Sequence, residues 1–430
     1  MNNKPTVAAF TLGCKVNHSD TESILRDFAA CGFVIQGFDQ TADVYIINTC
    51  TVTQASSKKS RQAISKARKK NPNALIVAYG CYSQVEPEAL QNLADLVIGT
   101  SEKSNIVDIV ASKLPTEAFV NANDSASFTF FNNYGERTRA YLKVQDGCDR
   151  FCSYCIVPLA RGAVESRPLH EILAEGRELV KLGFKEIVLA GIQIAAYGNA
   201  EENGNLVTLM KRIHDIAGLQ RLRLSSLDPN VINTQFLEAV HNMPKLCDHF
   251  HLSLQSGSDS ILKQMNRHYT TSKYKQSVEA LREILPQSTF TTDMIVGFPG
   301  ETDNDFNASL KFAEEIGFFR IHVFSYSPKK GTPAAEFPNQ IDSQVKELRN
   351  RVLRTTGDYL TKKFYENNIG KVYPVLFESK IESKTNGIWE GHTTNYLTVH
   401  VKAEAKLTNE IVPVRLLEFI NGAAYGEICI

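Results

Sequence analysis

The chain has no excess of either charge: 47 Lys and Arg stand against 47 Asp and Glu. The field of the whole molecule therefore cannot be what draws in a polyanion, and any nucleic-acid footprint must be local. No segment approaches the ~18 consecutive apolar residues of a transmembrane helix. The start, MNNKPTVAAF, lacks a charged region followed by a long apolar one, because the apolar stretch from Val7 to Leu12 is too short for a signal peptide. These absences predict a soluble, cytoplasmic protein with no membrane partner. There is no internal repeat, and no low-complexity tract apart from one polar linker. What is present is an ordinary globular composition, 43% hydrophobic and 22% charged over 430 residues. That length suits about three domains and excludes global disorder. The nine cysteines are an odd number in a chain of this type, which points to reduced thiols serving as metal ligands or in catalysis rather than to bridges.

Short apolar runs alternate with helical ones over the first hundred residues. Thr6 to Leu12, Asp43 to Asn48, Ala74 to Tyr79 and Leu93 to Ile98 read as strands of a doubly wound parallel sheet. Ser19 and Glu22 have capping-box spacing before the amphipathic run Ser23 to Ala30. The sequence turns polar and irregular near Leu114, so the expected division is 1–114, a linker over 115–136, a second domain over 137–367 and a third over 368–430. The second domain holds six strand-and-helix units, with strands at Tyr141 to Gln145, Glu186 to Ala190, Arg221 to Ser225, His249 to Leu254, Phe290 to Val296 and Arg320 to Tyr326. This pattern fits a partial or complete (βα) barrel with its site at the carboxyl ends of the strands. A long charged helix, Ser343 to Asn367, precedes short alternating runs at Lys371 to Phe377, Tyr396 to Val401 and Ile411 to Leu417. Those fit a small antiparallel β-barrel.

The cysteines carry the chemistry. Cys148, Cys152 and Cys155 form a C-x3-C-x2-C run, GCDRFCSYC, directly after the first strand of the second domain. Three close thiolates can hold three irons of a 4Fe-4S cluster and leave the fourth open. Zinc would want a fourth ligand, and the candidate His170 lies beyond a turn. Cys14, Cys50 and Cys81 each follow a predicted strand and precede a helix. In an open parallel sheet all three converge on the edge beyond the carboxyl ends of the strands, where nearby helix amino termini favour thiolate. Cys31, Cys247 and Cys429 have no such setting and read as packing residues.

The C-x3-C-x2-C run, with Tyr154 before its last cysteine, resembles the signature of the radical S-adenosylmethionine (SAM) superfamily. Over essentially its whole length the chain resembles the methylthiotransferases of that superfamily. The resemblance implies an α/β chain with a doubly wound amino-terminal domain, a central radical-SAM barrel and a carboxyl-terminal TRAM barrel. It also implies two 4Fe-4S clusters, an auxiliary one on Cys14, Cys50 and Cys81 and a SAM-binding one on Cys148, Cys152 and Cys155, and an electron donor of flavodoxin or ferredoxin type. The implied reaction replaces an aromatic C–H with C–S–CH3. Candidate SAM contacts fall at predicted strand ends: Gly191 and Gln193 in LAGIQIAAYG, Ser225 and Asp228 in SSLDP, Gln255 in SLQSGSD and Gly297 in DMIVGFPGET, together with Tyr154. Asp228 stands where the family usually has glutamate. Arg161 and Arg167 resemble the basic pair after the cluster loop and are expected to hold substrate or cofactor carboxylate.

The substrate reading rests on a local basic helix. From Thr51 to Asn73 there are seven basic residues and no acidic one, with Lys58, Arg61 and Lys69 near one face. They form a phosphate-binding stripe for tRNA. From Lys371 onward six basic residues face seven acidic ones, so the last domain must bind by shape and stacking, with Tyr396 as the stacking candidate. The segments GCKVNHSDTE, NTCTVTQAS and KSRQAI are most similar to the subgroup that modifies N6-threonylcarbamoyladenosine next to the tRNA anticodon. The alternatives are isopentenyladenosine in tRNA, a ribosomal-protein aspartate, or a non-catalytic iron-sulfur RNA-binding protein.

Overall fold

Successive residues of the segment Val44–Thr49 are buried on opposite sides. Val44 and Ile46 join Val7, Phe28 and Val77 in one core, and Tyr45 and Ile47 join Ala8, Ile64, Ala67 and Ile76 in another. A strand apolar on both faces belongs at the centre of a parallel sheet covered on both sides. The computed structural model describes residues 4–114, 138–198, 204–381 and 387–429, and the expected linker over 115–136 lies outside them. It has two compact units: Met1–Gly135 with Asp146–Asp149 and Cys155–Val164, and Glu136–Gln145 with Arg150–Tyr154 and Glu165–Ile430.

The first unit holds strands β1 (Thr6–Thr11), β2 (Val34–Gln36), β3 (Val44–Thr49), β4 (Leu75–Gly80) and β5 (Leu96–Ile98) in the order β2-β1-β3-β4-β5. All neighbouring pairs are parallel. β2 is three residues long at the sheet edge, too short to give a strand pattern in the sequence. The first helix starts earlier than the Ser19 and Glu22 spacing predicts, running Lys15–Ala30 with Cys14 at its N-cap and Ser19 buried inside it. The turn through Gly13 lets the helix begin immediately after β1, so the Ser19 and Glu22 spacing caps nothing.

In the second unit β6 (Arg139–Lys143), β7 (Glu186–Ala190) and β8 (Arg221–Leu224) form one parallel sheet, and β9 (His249–His251), β10 (Thr289–Val296) and β11 (Arg320–Ser325) form another. Parallel bridges Leu222↔Leu246 and Leu227↔Leu252 join the two. The result is the expected six-stranded partial barrel, with its loops after the carboxyl ends. The helix Ser343–Glu366 leads to a closed barrel of β12 (Val372–Lys380), β13 (Ile388–Thr393), β14 (Thr398–Lys402), β15 (Ile411–Ile420) and β16 (Ala423–Ile428). Its pairs are antiparallel except β14 with β16, which run parallel.

The small barrel contacts the larger one through buried charge. Glu186 Oε1 accepts from Arg223 Nε at 2.7 Å, and Arg139 pairs with Glu378 at 3.0 Å. Arg221 and Arg223 donate to the carbonyls of His392, Pro374 and Thr394. Tyr396, expected to stack on RNA, instead closes this contact. Its ring stacks on His249 at 4.6 Å and His392 at 5.0 Å, with the Arg223 guanidinium 4.7 Å from the ring centre. Buried guanidinium groups need electron-rich cover, and the ring supplies it.

Burial pushes the Glu186 carboxyl up, but Arg223, Arg139 and Arg221 together hold it down at about 2. A depressed carboxylate stabilises the fold above its unfolded value of ~4.3, and that contribution is lost as pH falls through the folded value. Glu186→Gln leaves Arg223 buried without its charge partner and is expected to cost about 3–5 kcal/mol. Urea unfolding followed by the chain's one tryptophan, Trp389 in the small-barrel core, measures this. A midpoint equal to wild type at pH 7 would contradict it.

Candidate active site

Strands β1, β3 and β4 are neighbours and run the same way, so the residues following them share one edge. Those residues are Cys14, Cys50 and Cys81. Gly13, at φ +105°, lies so close to Cys50 that a Cβ there would sit 3.1 Å from its Sγ. Gly80, at φ +109°, is pressed against Asn48 and Thr49 of β3. Both positions demand glycine, because the backbone is left-handed and the neighbouring strand occupies the side-chain space. Burial pushes the Cys81 thiol up to about 11, with Cys14 and Cys50 adding to the shift and Arg161 opposing it. The three thiols thus meet as the sequence predicts, a donor set that fits a soft metal or an iron-sulfur cluster.

Arg161 belongs to this group rather than to a substrate-facing surface. It ends the helix Val157–Arg161, its side chain is 2% exposed, and its charge opposes the upward shift of the Cys81 thiol. It also donates to Asp146 Oδ1 at 2.7 Å, to Asp20 Oδ2 at 3.2 Å and to Asn17. Asn17 in turn donates to the Leu12 carbonyl at 2.6 Å and accepts from the Cys14 thiol at 3.6 Å. Lys103 neutralises Asp146 from the other side at 2.9 Å. The expected role for Arg161 on a free carboxylate is therefore corrected: two protein carboxylates already hold it. Arg167 is likewise spent, on the Lys143 carbonyl and Glu175, both at 2.8 Å.

In the first unit the Cys148 N–H donates to the Gly162 carbonyl at 3.1 Å. Cys152, in the second unit, is buried, and Arg267 Nη1 lies 3.3 Å from its Sγ. Arg267 also donates to Tyr269 Oη at 2.9 Å and lies 3.9 Å from Asp228. Asp228 and Cys152 are thus brought to one guanidinium. Arg267 lies 115 residues from Cys152, so no local motif joins the two; Asn266, at φ +57°, turns the chain before it.

The other candidates sit at the carboxyl ends of the barrel strands. The Gln193 N–H donates to Gln145 Oε1 at 2.7 Å, beneath Gly191. Ser225 is 5% exposed and its Oγ is buried without a hydrogen-bond partner. An orphaned hydroxyl at a strand end fits a polar cofactor approaching there. Gln255, at φ +74°, pairs its backbone with Asp293 and Ile295 of β10. Tyr154 packs against Ile261, Met265 and Phe298. Gly297 has a structural task, donating to Glu301 Oε2 at 2.7 Å.

The basic helix runs Gln54–Lys70, capped by Thr53. Lys66 pairs with Asp39 at 2.9 Å and Arg68 with Asp95 at 2.6 Å, while Arg61 donates to Tyr82 Oη. Lys58 and Lys69 are exposed on this helix.

A parallel six-stranded partial barrel with a three-cysteine loop after its first strand defines the radical SAM class, and the Radical SAM superfamily matches residues 142–313. Residues 6–99 match a second family, described as uncharacterized protein family UPF0004. The chain belongs to the radical SAM methylthiotransferase family: it is 37% identical, over 98% of its length and 95% of the relative's, to the threonylcarbamoyladenosine tRNA methylthiotransferase MtaB of Bacillus subtilis. It is 34% identical to a tRNA-2-methylthio-N(6)-dimethylallyladenosine synthase of Methylacidiphilum infernorum, over 98% of this chain and 94% of that one. Among solved structures, the radical S-adenosylmethionine methyltransferase TsrM of Kitasatospora setae shares the fold, with a TM-score of 0.56 and 13% identity over 77% of this chain and 75% of that chain.

Proposed function

We propose that the protein is a tRNA methylthiotransferase that converts N6-threonylcarbamoyladenosine, next to the anticodon, to its 2-methylthio derivative. The observation that carries this is the meeting of Cys14, Cys50 and Cys81 at one sheet edge, in a chain whose full-length relatives bear that activity in their names. Cys14, Cys50 and Cys81 would hold an auxiliary 4Fe-4S cluster, and Cys148, Cys152 and Cys155 a second one with an open iron. Bound SAM and the reduced cluster supply a carbon radical, and a second SAM supplies the methyl group. The chain's own residues position these groups: Arg161 beside the first cysteine set, Arg267 beside Cys152, and Ser225, Gln193, Asp228 and Gln255 at the strand ends where SAM would bind. A flavodoxin- or ferredoxin-type donor and a cytoplasmic location belong to the same reading, as do domain limits of 1–114, 137–367 and 368–430. Among the described residues no helix is long and apolar enough to cross a membrane.

Mass spectrometry of tRNA nucleosides tests the reading, in a host lacking its own methylthiotransferases, with and without this protein. A new methylthio derivative of threonylcarbamoyladenosine is expected. A methylthio derivative of isopentenyladenosine instead would keep the chemistry and move the substrate. No change with cluster-loaded protein would sink the tRNA assignment.

Lys58 and Lys69 are exposed on the basic helix, as is Lys59, whereas Lys66 and Arg68 already have acidic partners. Lys58→Gln with Lys69→Gln is expected to weaken tRNA binding and to lower the slope of log K against log salt by roughly one per lysine. A filter-binding series between low and moderate salt reads the slope. An unchanged slope would return this helix to a solvated surface.

A further inference from the structure

The inner wall of the partial barrel carries a second donor set, distinct from the cysteines. His251 on β9, Asp293 on β10 and His322 on β11 lie on three neighbouring parallel strands. His251 is registered with Thr291, and Asp293 with His322. Because side chains alternate along a strand, Thr291 and Asp293 share one face and Phe290 takes the other. Phe290 packs under Arg282 of the helix Thr271–Ile284, so the two imidazoles and the carboxylate face away from the helix layer, toward the barrel interior. One ligand atom from each of the three lies within 4.8 Å of the others.

Two details separate this group from a chance cluster. His251 Nε2 lies 3.4 Å from Asp293 Oδ2, longer than the ~2.7–3.2 Å of a hydrogen bond. Two ligand atoms each ~2.0–2.1 Å from a tetrahedral zinc ion are about 3.3 Å apart. The second detail is the other ring nitrogen: His251 Nδ1 is 2.9 Å from Thr291 Oγ1. With the proton on Nδ1 and donated to that hydroxyl, which His249 Nε2 also contacts at 3.0 Å, the Nε2 lone pair faces the carboxylate, a repulsive pairing that a cation between them relieves. Orientation of a ligating histidine through its second nitrogen is the usual outer-shell device of metal sites.

We propose that His251, Asp293 and His322 bind one divalent first-row cation of zinc type. Three protein ligands leave an open coordination position on the interior side, which takes an oxygen donor such as water or a carboxylate. His322, exposed on strand β11 at the end of the sheet, closes the set by side-chain rotation.

Zinc K-edge X-ray absorption on cluster-loaded protein tests this, because the edge is blind to iron. After one equivalent of Zn2+ and dialysis, one zinc per chain is expected, with a nitrogen and oxygen shell near ~2.0 Å, imidazole outer-shell scattering and no sulfur shell at ~2.3 Å. In competition titration against a chromophoric chelator, His322→Gln and Asp293→Asn should each weaken zinc binding by about tenfold or more. Cys31→Ser, which removes an exposed free thiol, should leave it unchanged. His322→Gln alters an exposed side chain, so its folding serves as the control. A sulfur shell, no retained zinc, or equal affinity in wild type and both ligand variants would overturn the proposal.

Discussion

Replacing Cys152 with alanine is expected to abolish formation of 5′-deoxyadenosine from SAM, whereas replacing Cys50 with alanine should leave that reaction running and remove only the methylthio product. This is the expected result because the two cysteines belong to different structural groups. Cys152 lies in the loop after β6 and is touched by Arg267 of the barrel unit. Cys50 follows β3 in a unit with two hydrophobic cores of its own, among the thiols of Cys14 and Cys81. Each variant should lose about four irons of the fully loaded content, the complement of one 4Fe-4S cluster. Anaerobic assay with dithionite, reading deoxyadenosine and the modified nucleoside in the same sample, separates the two losses. Equal loss of cleavage in both variants would contradict the division of labour. A wild-type protein carrying both clusters and producing no deoxyadenosine would favour the non-catalytic RNA-binding alternative.

The meeting of Cys14, Cys50 and Cys81 at one sheet edge was legible because its signal is periodic. C-x3-C-x2-C can be read within one loop, and Cys14, Cys50 and Cys81 each stand at a strand-to-helix junction, a position that parallel topology converts into proximity. The strands of the three parallel sheets were legible for the same reason, apart from the three-residue edge strand Val34–Gln36. What escaped were pairings across long stretches of chain. Nothing near Arg161 announces that Asn17 and Asp20, more than 140 residues away, will claim its guanidinium. Tyr396 looked available for a base because sequence does not reveal Arg139 and Arg223, whose guanidinium groups lie 5.3 and 4.7 Å from its ring centre. The helical start at Cys14 was hidden by Ser19 and Glu22, a correct local motif in the wrong place, since Gly13 turns the chain before any side-chain cap is needed.

Arg267 carries the remaining large effect. Its guanidinium lies 3.3 Å from Cys152 Sγ and 3.9 Å from Asp228, and its side chain is only 10% exposed. A cation and an N–H donor beside a ligand sulfur stabilise the more negative, reduced state of a cluster, because hydrogen bonds and local charge set iron-sulfur potentials. Arg267→Gln removes the charge and is expected to lower the midpoint potential of the barrel cluster and to slow SAM cleavage by about 10–100-fold. Arg267→Lys keeps a charge but loses the planar fork that also reaches Tyr269 and the Ser253 carbonyl, so its potential should fall between the other two. Redox titration followed by electron paramagnetic resonance measures the potential independently of turnover. A purely structural arginine would lower thermal stability in both variants and leave the potential where it was. A graded potential, arginine above lysine above glutamine, requires that the guanidinium act on the sulfur itself.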